Sequence, residues 1–136
     1  MAVMPQECID MINNSYTAAV STCSPDGIPN VVPCSMKQAI DAQTVMISDQ
    51  YMNKTLANLQ ANPHMAVSVW KDDSGYQVKG TVTYENEGPR YEAVAAQVHE
   101  ILSGMGYDYY SKGVCFLQVE EFFSVTPGPN AGEKLA

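Results

Sequence analysis

The alternation of apolar and polar residues along the chain predicts six β-strands, and apolar stripes at helical spacing predict two or three helices. The alternation is clearest in residues 76–85, where every second position is apolar or aromatic for most of the run. A helical stripe follows the pair Gly88-Pro89 and ends near Gly104. The predicted strands are 16–23, 28–37, 44–48, 64–71, 76–85 and 114–126, and the predicted helices are 5–13, 54–62 and 89–104.

Turn residues between the strands favour hairpins over helical crossovers. Residues 24–27 (Ser-Pro-Asp-Gly) and 72–75 (Asp-Asp-Ser-Gly) are typical of tight turns. Because no helix alternates with each strand, we expect a mainly β (α+β) fold in which a six-stranded antiparallel sheet closes into a small barrel with the helices outside. Residues 1–127 form one predicted domain, and residues 128–136, rich in proline, glycine and charge, are predicted to be a C-terminal tail.

Two single residues refine this picture of the sheet. Pro33, like Pro29 before it, cannot donate a ladder hydrogen bond, so strand 28–37 is expected at a sheet edge or to be irregular. Gly80 interrupts the alternation of strand 76–85, where glycine often marks a bulge or a close approach by another group.

The most informative stretch is the transition from strand 44–48 to the following helix. Asn53 is a good N-cap residue, so the helix is predicted to begin at Lys54, with Leu56 and Leu59 facing the core. Unpaired amides at a helix start favour an anion, and Lys54 and Thr55 add an ammonium and a hydroxyl. The pattern predicts a phosphate-binding corner, although most helices that start with Lys and Thr bind no anion.

Charge and cysteine content narrow the function. The 136 residues carry a formal net charge of −8, which argues against nucleic acid and anionic membranes as partners. Four of the seven basic residues lie between Lys37 and Lys79, around the predicted corner. No apolar run approaches the ~18–20 residues of a membrane span, and no signal peptide is recognisable, so a cytoplasmic protein is expected. The four cysteines and two histidines match no zinc template, and no metal is expected.

The order of elements, taken with several short motifs, resembles the pyridoxamine 5′-phosphate oxidase-like, FMN-binding split-barrel superfamily over nearly the whole chain. The Asn-Lys-Thr-Leu helix start after an apolar strand is fairly specific, and it is more so when joined to the later Gly-Tyr-Gln-Val-Lys-Gly strand. The matching segments are 26–36, 47–49, 53–59, 62–67 and 75–81.

The resemblance implies a split β-barrel and a homodimer with FMN at the subunit interface. It implies phosphate contacts from Lys54 and Thr55 at the helix start capped by Asn53, with Gln77 and Lys79 completing the phosphate or ring contacts. The residues implied to line the ribityl chain are Ser48, Asp49 and Gln50, and those implied to face the isoalloxazine ring are Val32, Pro33, Cys34 and Ser35.

The implied function is that of an FMN-dependent oxidoreductase or electron-transfer flavoprotein, for which no catalytic side chain is identified. Arg90 is the one arginine in the chain. The chain therefore departs from the arginine- and histidine-rich motifs of the vitamin oxidases, which argues against pyridoxine phosphate as substrate. The alternatives are a binder of deazaflavin F420 or haem on the same fold, a non-catalytic flavin carrier, and a cofactor-free interaction module. The tyrosine-rich residues 106–113 receive no predicted role.

Overall fold

A computed structural model describes residues 2–136. Its helices and strands follow the predicted order closely, with one additional strand. The elements are α1 (Gln6–Asn14), β1 (Ala18–Cys23), β2 (Pro29–Cys34), β3 (Lys37–Asp41), β4 (Thr44–Asp49), α2 (Lys54–Ala61), β5 (His64–Lys71), β6 (Ser74–Glu85), α3 (Pro89–Gly104) and β7 (Gly113–Ser124). None of the helices in this described part of the chain is long and apolar enough to cross a bilayer.

All seven strands form one curled antiparallel sheet in the order β2-β1-β5-β6-β7-β4-β3. The predicted mainly β split-barrel class is confirmed. The predicted number of six strands is wrong, because the strand expected at 28–37 ends at Cys34 and a separate β3 pairs with β4. β3 is five residues long and mixes polar with apolar positions, so it lacks a readable alternation.

The irregularities read from single residues have structural counterparts. β2 is an edge strand that pairs with β1 alone, which accommodates its two prolines. The pairing of β6 with β7 shifts register between Lys79 and Gly80. A side chain at Gly80 would overlap the backbone carbonyl of Gln118, so only glycine allows the two strands to approach there.

The core has two parts because β4 and β7 are covered on both faces. The larger part lies inside the curl of the sheet and includes Ile12 of α1, Val20, Ile47 and Leu117. The smaller part lies outside β4 and β7, where α3 packs its stripe of Val94, Val98 and Leu102 on the sheet; its other buried members are Met46, Val114 and Phe116. This double coverage fixes the end of β4, from which the candidate site extends.

The C-terminal residues pair with β7. The amide of Ser124 donates to the carbonyl of Glu133, and Leu135 donates to Phe122. Lys134 forms an antiparallel bridge with Phe123 and an ion pair of 3.1 Å with Glu121. The segment predicted as a tail therefore extends the sheet by a short bridge.

Candidate functional site

One cavity collects most of the residues predicted to bind a cofactor. It has a volume of about 460 Å³, within the usual range of small-molecule sites, and lies between β2, the end of β4 and the start of α2. The end of α3 and the segment after it form the opposite wall. Nine of the twelve predicted residues are in its lining, namely Val32, Pro33, Cys34, Ser35, Ser48, Gln50, Asn53, Lys54 and Thr55.

The start of α2 forms the polar end of this cavity. The helix begins at Lys54 as predicted, and Ala57 donates the first intrahelical backbone bond, to Asn53. The amides of residues 54–56 therefore lie outside the helical ladder and are available to an anion. The Asn53 side chain makes no capping hydrogen bond, contrary to the prediction, because its backbone (φ −128°, ψ −84°) is not in the extended conformation that N-caps adopt.

Thr55 is positioned by a contact that the sequence did not reveal. Its side chain is buried, with 1% of its surface exposed, and its hydroxyl oxygen accepts a hydrogen bond of 3.1 Å from the Asn30 amide of β2. The hydroxyl proton of Thr55 remains free to donate. Thr55 and Leu59, four residues apart, share the buried face of α2, whereas Leu56 is only half-buried, contrary to the prediction.

Lys54 is the basic residue at the cavity. Of the four lysines expected to concentrate around the corner, Lys54 lies in the lining, while Lys71 and Lys79 lie elsewhere on the surface. The fourth, Lys37, is buried and donates to the carbonyl of Ser15 at 2.5 Å, and burial lowers its pKa. The expected cluster of cations is therefore one exposed ammonium at the helix start.

Asp49 lies behind the cavity rather than in its lining. Its carboxylate is fully buried and accepts hydrogen bonds from the Tyr84 hydroxyl at 2.6 Å and from the Met52 amide at 2.8 Å. The Lys112 ammonium lies 3.8 Å away. Burial, followed by the hydrogen bond to Asp49, raises the pKa of Tyr84 above its usual value. The carboxylate thus holds the turn between β4 and α2 from inside the fold.

Ser48 and Gln50 connect the corner to the far wall of the cavity. The Gln50 amide donates to the Ser48 hydroxyl at 2.7 Å, and Ser48 is hydrogen-bonded to the buried Ser111 hydroxyl at 2.6 Å. This chain of contacts fixes both side chains at the cavity. Their oxygen and nitrogen atoms are of the type that hydrogen-bonds a polyhydroxylated chain.

Cys34 lines the cavity with a free, half-buried thiol. Burial raises its pKa to about 11, and its sulfur lies 3.8 Å from the carbonyl of Met36. Because the thiolate is the nucleophilic form, a thiol with this pKa is protonated near neutral pH. The Cys34 side chain is partly buried and packs against the larger core cluster.

Gln77 and Lys79 lie outside this cavity. Both are on β6, where Gln77 pairs with Ser68 and Phe123 in the sheet. Lys79 is exposed, lies 5.3 Å from the ring centre of Phe123 and lines a different cavity of about 440 Å³. Together with Asp49, these are the predicted residues that do not lie in the cavity lining.

Aromatic side chains on the far wall were missed by sequence reasoning. Tyr51, Tyr107 and Tyr109 line the cavity together with Leu102 and Met105 at the end of α3. The available signal was the density of tyrosines in residues 106–113, but their relation to the corner depends on pairing between distant strands.

Comparison with known proteins agrees with the fold. The family model described as pyridoxamine 5′-phosphate oxidase matches residues 4–118. An uncharacterized protein of Methanocaldococcus jannaschii is 33% identical over 98% of this chain and 88% of its own length. The crystal structure of HupZ from Group A Streptococcus is 28% identical, with a TM-score of 0.79 over 95% of this chain and 99% of HupZ.

More distant structures share the fold. An FMN-binding protein from Syntrophomonas wolfei matches at 17% identity with a TM-score of 0.78, over 90% of this chain and 86% of its own. HutZ, a heme storage protein from Vibrio cholerae, matches at 17% identity with a TM-score of 0.66, over 90% of this chain and 94% of its own. An F420 reductase matches at 17% identity with a TM-score of 0.68, over 88% of this chain and 98% of its own. The curled sheet and its flanking helices thus define a split-barrel protein of a class that includes cofactor-binding members. This chain belongs to the pyridoxamine 5′-phosphate oxidase family.

Proposed function

We propose that this protein is an FMN-binding flavoprotein that acts as an oxidoreductase or electron-transfer protein. The observation that carries the proposal is the convergence, at one end of a cavity of suitable size, of the Lys54 ammonium, the Thr55 hydroxyl and the free amides of residues 54–56. This set of donors suits a phosphate ester, because charge-assisted bonds and a helix start act together on one anion.

The remaining lining supports a flavin attached to that phosphate. Ser48 and Gln50 share the cavity lining with the helix start and with β2, and they would hydrogen-bond the ribityl hydroxyls. The edge strand β2 pairs on one side only, so its other backbone groups are available to a ring beside Val32–Ser35. Bound FMN would supply hydride or single-electron transfer, while the chain binds and orients it.

The charge of the site favours FMN over the two alternative cofactors. Among residues 2–136, Lys54 is the basic side chain in the cavity lining, which matches one phosphate better than the several carboxylates of an F420 tail or the two propionates of haem. His64 and His99, the two histidines, lie outside the lining, and histidine is a common axial ligand of haem iron.

Gln77 and Lys79 support the further proposal of a homodimer with FMN at the subunit interface. Both side chains lie on the outer face of the sheet, away from the cavity of their own chain. That face carries small residues such as Ala19, Ser21 and Ala66 beside the exposed Val31. A second copy docked there would bring Gln77 and Lys79 to the cofactor of the first. Sedimentation of the purified protein tests this, with a dimer as the expected species.

The cofactor proposal is tested by the visible spectrum and one substitution. The purified protein is expected to show the two absorption bands of oxidised FMN. Lys54→Ala removes a charge-assisted hydrogen bond and is expected to weaken FMN binding by about 10- to 100-fold. Lys71→Ala makes the same charge change outside the cavity and is expected to change the dissociation constant less than about twofold. Equal affinity in wild type and Lys54→Ala would refute the phosphate corner.

A further inference from the structure

The three tyrosines of the segment after α3 point in two directions, two toward the cavity and one toward α3. Residues 107–110 are without regular helix or strand structure, and Tyr107 and Tyr109 line the cavity. Tyr110 instead stacks on His99 of α3, with ring centres 3.9 Å apart and planes 14° apart. The segment thus directs two tyrosines at the cavity and uses the third to attach itself to the helix.

Three of the four tyrosines in the cavity lining form an ordered aromatic wall. Tyr107 and Tyr109 are nearly parallel, with ring centres 5.4 Å apart and planes 13° apart. Tyr51, from the turn before α2, meets Tyr109 edge-on at 5.4 Å and 90°. These are the arrangements that aromatic pairs favour. We call Tyr51, Tyr107 and Tyr109 the tyrosine wall.

Polar contacts hold the tyrosine wall in place. The His99 ring nitrogen lies 3.1 Å from the carbonyl oxygen of Tyr109. The Tyr91 hydroxyl donates to the carbonyl of Ser111 at 2.7 Å, and the Ser111 hydroxyl is bonded to Ser48. The wall is therefore pre-organised, yet its rings remain between 40% and 73% exposed. Exposed, rigid aromatic surface beside a cavity is typical of a surface that binds a ligand.

The charges of the cavity restrict what this ligand can be. No Asp or Glu side chain lies in the lining within the described residues 2–136, and Lys54 is the cation there. The proposed FMN phosphate already uses Lys54, so a nicotinamide dinucleotide, with its additional phosphates, would lack a partner for them. A neutral ring needs no cationic partner, and it gains stacking contacts with the faces of the tyrosine rings.

We propose that the tyrosine wall is a stacking subsite for a neutral planar ring of the quinone class, bound in the same cavity beside the flavin. The proposal rests on the proposed FMN site and names the second ligand of that site. In this arrangement Val32–Ser35 on one side of the cavity would hold the flavin ring, and Tyr107 and Tyr109 on the other side would stack on the quinone ring.

The test is a calorimetric titration of the protein, loaded with oxidised FMN, with a water-soluble 1,4-naphthoquinone. Tyr107→Leu and Tyr109→Leu keep apolar volume but remove the aromatic face, and each is expected to weaken naphthoquinone binding about three- to tenfold. The FMN dissociation constant is expected to stay within about twofold. Tyr110→Phe is the control, because Tyr110 lies outside the cavity lining and phenylalanine keeps its stacking on His99, and it is expected to change neither affinity.

Three results would overturn the subsite. The first is unchanged naphthoquinone binding in both Tyr107→Leu and Tyr109→Leu. The second is a loss of FMN affinity in these variants equal to the loss of naphthoquinone affinity, which would place the flavin itself on the tyrosine wall. The third is a changed sedimentation coefficient of these variants, which would make the tyrosine wall a subunit contact. If Tyr109→Leu does not fold, Tyr107→Leu alone provides the test, because Tyr107 is 47% exposed and its substitution perturbs the fold less. If wild type binds no FMN, the proposed function fails separately, and naphthoquinone binding to the cofactor-free protein that depends on Tyr107 would still support the subsite.

Discussion

The contact between Tyr84 and Asp49 offers the sharpest test of how the corner is held. Asp49 ends β4, and its carboxylate is completely buried. The Tyr84 hydroxyl donates to one of its oxygens at 2.6 Å, and the Met52 amide donates to the other at 2.8 Å. The Lys112 ammonium lies 3.8 Å from the Asp49 carboxylate, and its side chain is 55% exposed. Because solvent screens this ion pair, it contributes only about 0–1 kcal/mol to the free energy of unfolding. Tyr84→Phe therefore removes one well-defined charge-assisted hydrogen bond.

The expected cost follows from the charge of the acceptor. A hydrogen bond to a charged group contributes about 1.5–3 kcal/mol, so Tyr84→Phe is expected to lower the free energy of unfolding by that amount. Tyr91→Phe is a matched control, because the Tyr91 hydroxyl donates at 2.7 Å to the neutral carbonyl of Ser111 and is expected to cost about 0.5–1.5 kcal/mol. Asp49→Ala leaves the Tyr84 hydroxyl and the Met52 amide without an acceptor, at about 1–3 kcal/mol for each group.

Urea unfolding followed by far-ultraviolet circular dichroism measures all these changes. The double variant Tyr84→Phe/Asp49→Ala completes a thermodynamic cycle, in which a coupling of about 1.5–3 kcal/mol is expected. A cost for Tyr84→Phe no larger than that for Tyr91→Phe, or a coupling below about 0.5 kcal/mol, would refute the view that this contact holds the corner.

Two further predictions concern Asn30 and the buried thiols. Asn30→Ala leaves the Thr55 hydroxyl without its donor, so FMN binding measured by flavin fluorescence is expected to weaken about threefold to tenfold. Asn86→Ala, at an exposed position outside the cavity lining, is expected to have no effect. Burial raises the pKa of Cys8 and Cys34 to about 11 and that of Cys115 to about 12, whereas unfolded thiols ionise near pH ~8.5. The folded protein therefore keeps its thiol protons to a higher pH than the unfolded chain does. Their contribution to the free energy of unfolding is complete below about pH 8 and is lost as the pH rises through about 11. A urea midpoint that stays constant between about pH 8 and about pH 10.5 would contradict this.

The sequence predicted those parts of the site that depend on neighbouring residues. The local pattern predicted Lys54 and Thr55, and the family resemblance implied Ser48 and Gln50. All four reach one cavity because a strand runs directly into a helix. The fold class was predictable for the same reason, since tight turns determine which strands pair. The helix start at Lys54 needed no tertiary information.

The structure departs from the sequence-based expectation where another part of the fold determines a residue's surroundings. Asp49 follows Ser48 in sequence, but its carboxylate is buried and accepts a hydrogen bond from Tyr84 on β6. Asn53 occupies the N-cap position, yet its backbone conformation prevents the side chain from capping α2. β3 lies at a sheet edge, and its pairing with β4, rather than its own residue pattern, makes it a strand.

The tyrosine wall shows why residues 106–113 had no predicted role. The pairing of β4 with β7 places Asp49 opposite Gly113, which brings Ser111 next to Ser48. The residues between the end of α3 and β7 must then pass beside the cavity, because both of their ends are fixed. Strand register therefore positions the tyrosines, and local sequence determines only which of them face inward. Since that register joins the wall to the phosphate corner, a substitution that breaks the Ser48–Ser111 contact should affect both ligands, whereas one at Tyr107 should affect only the second.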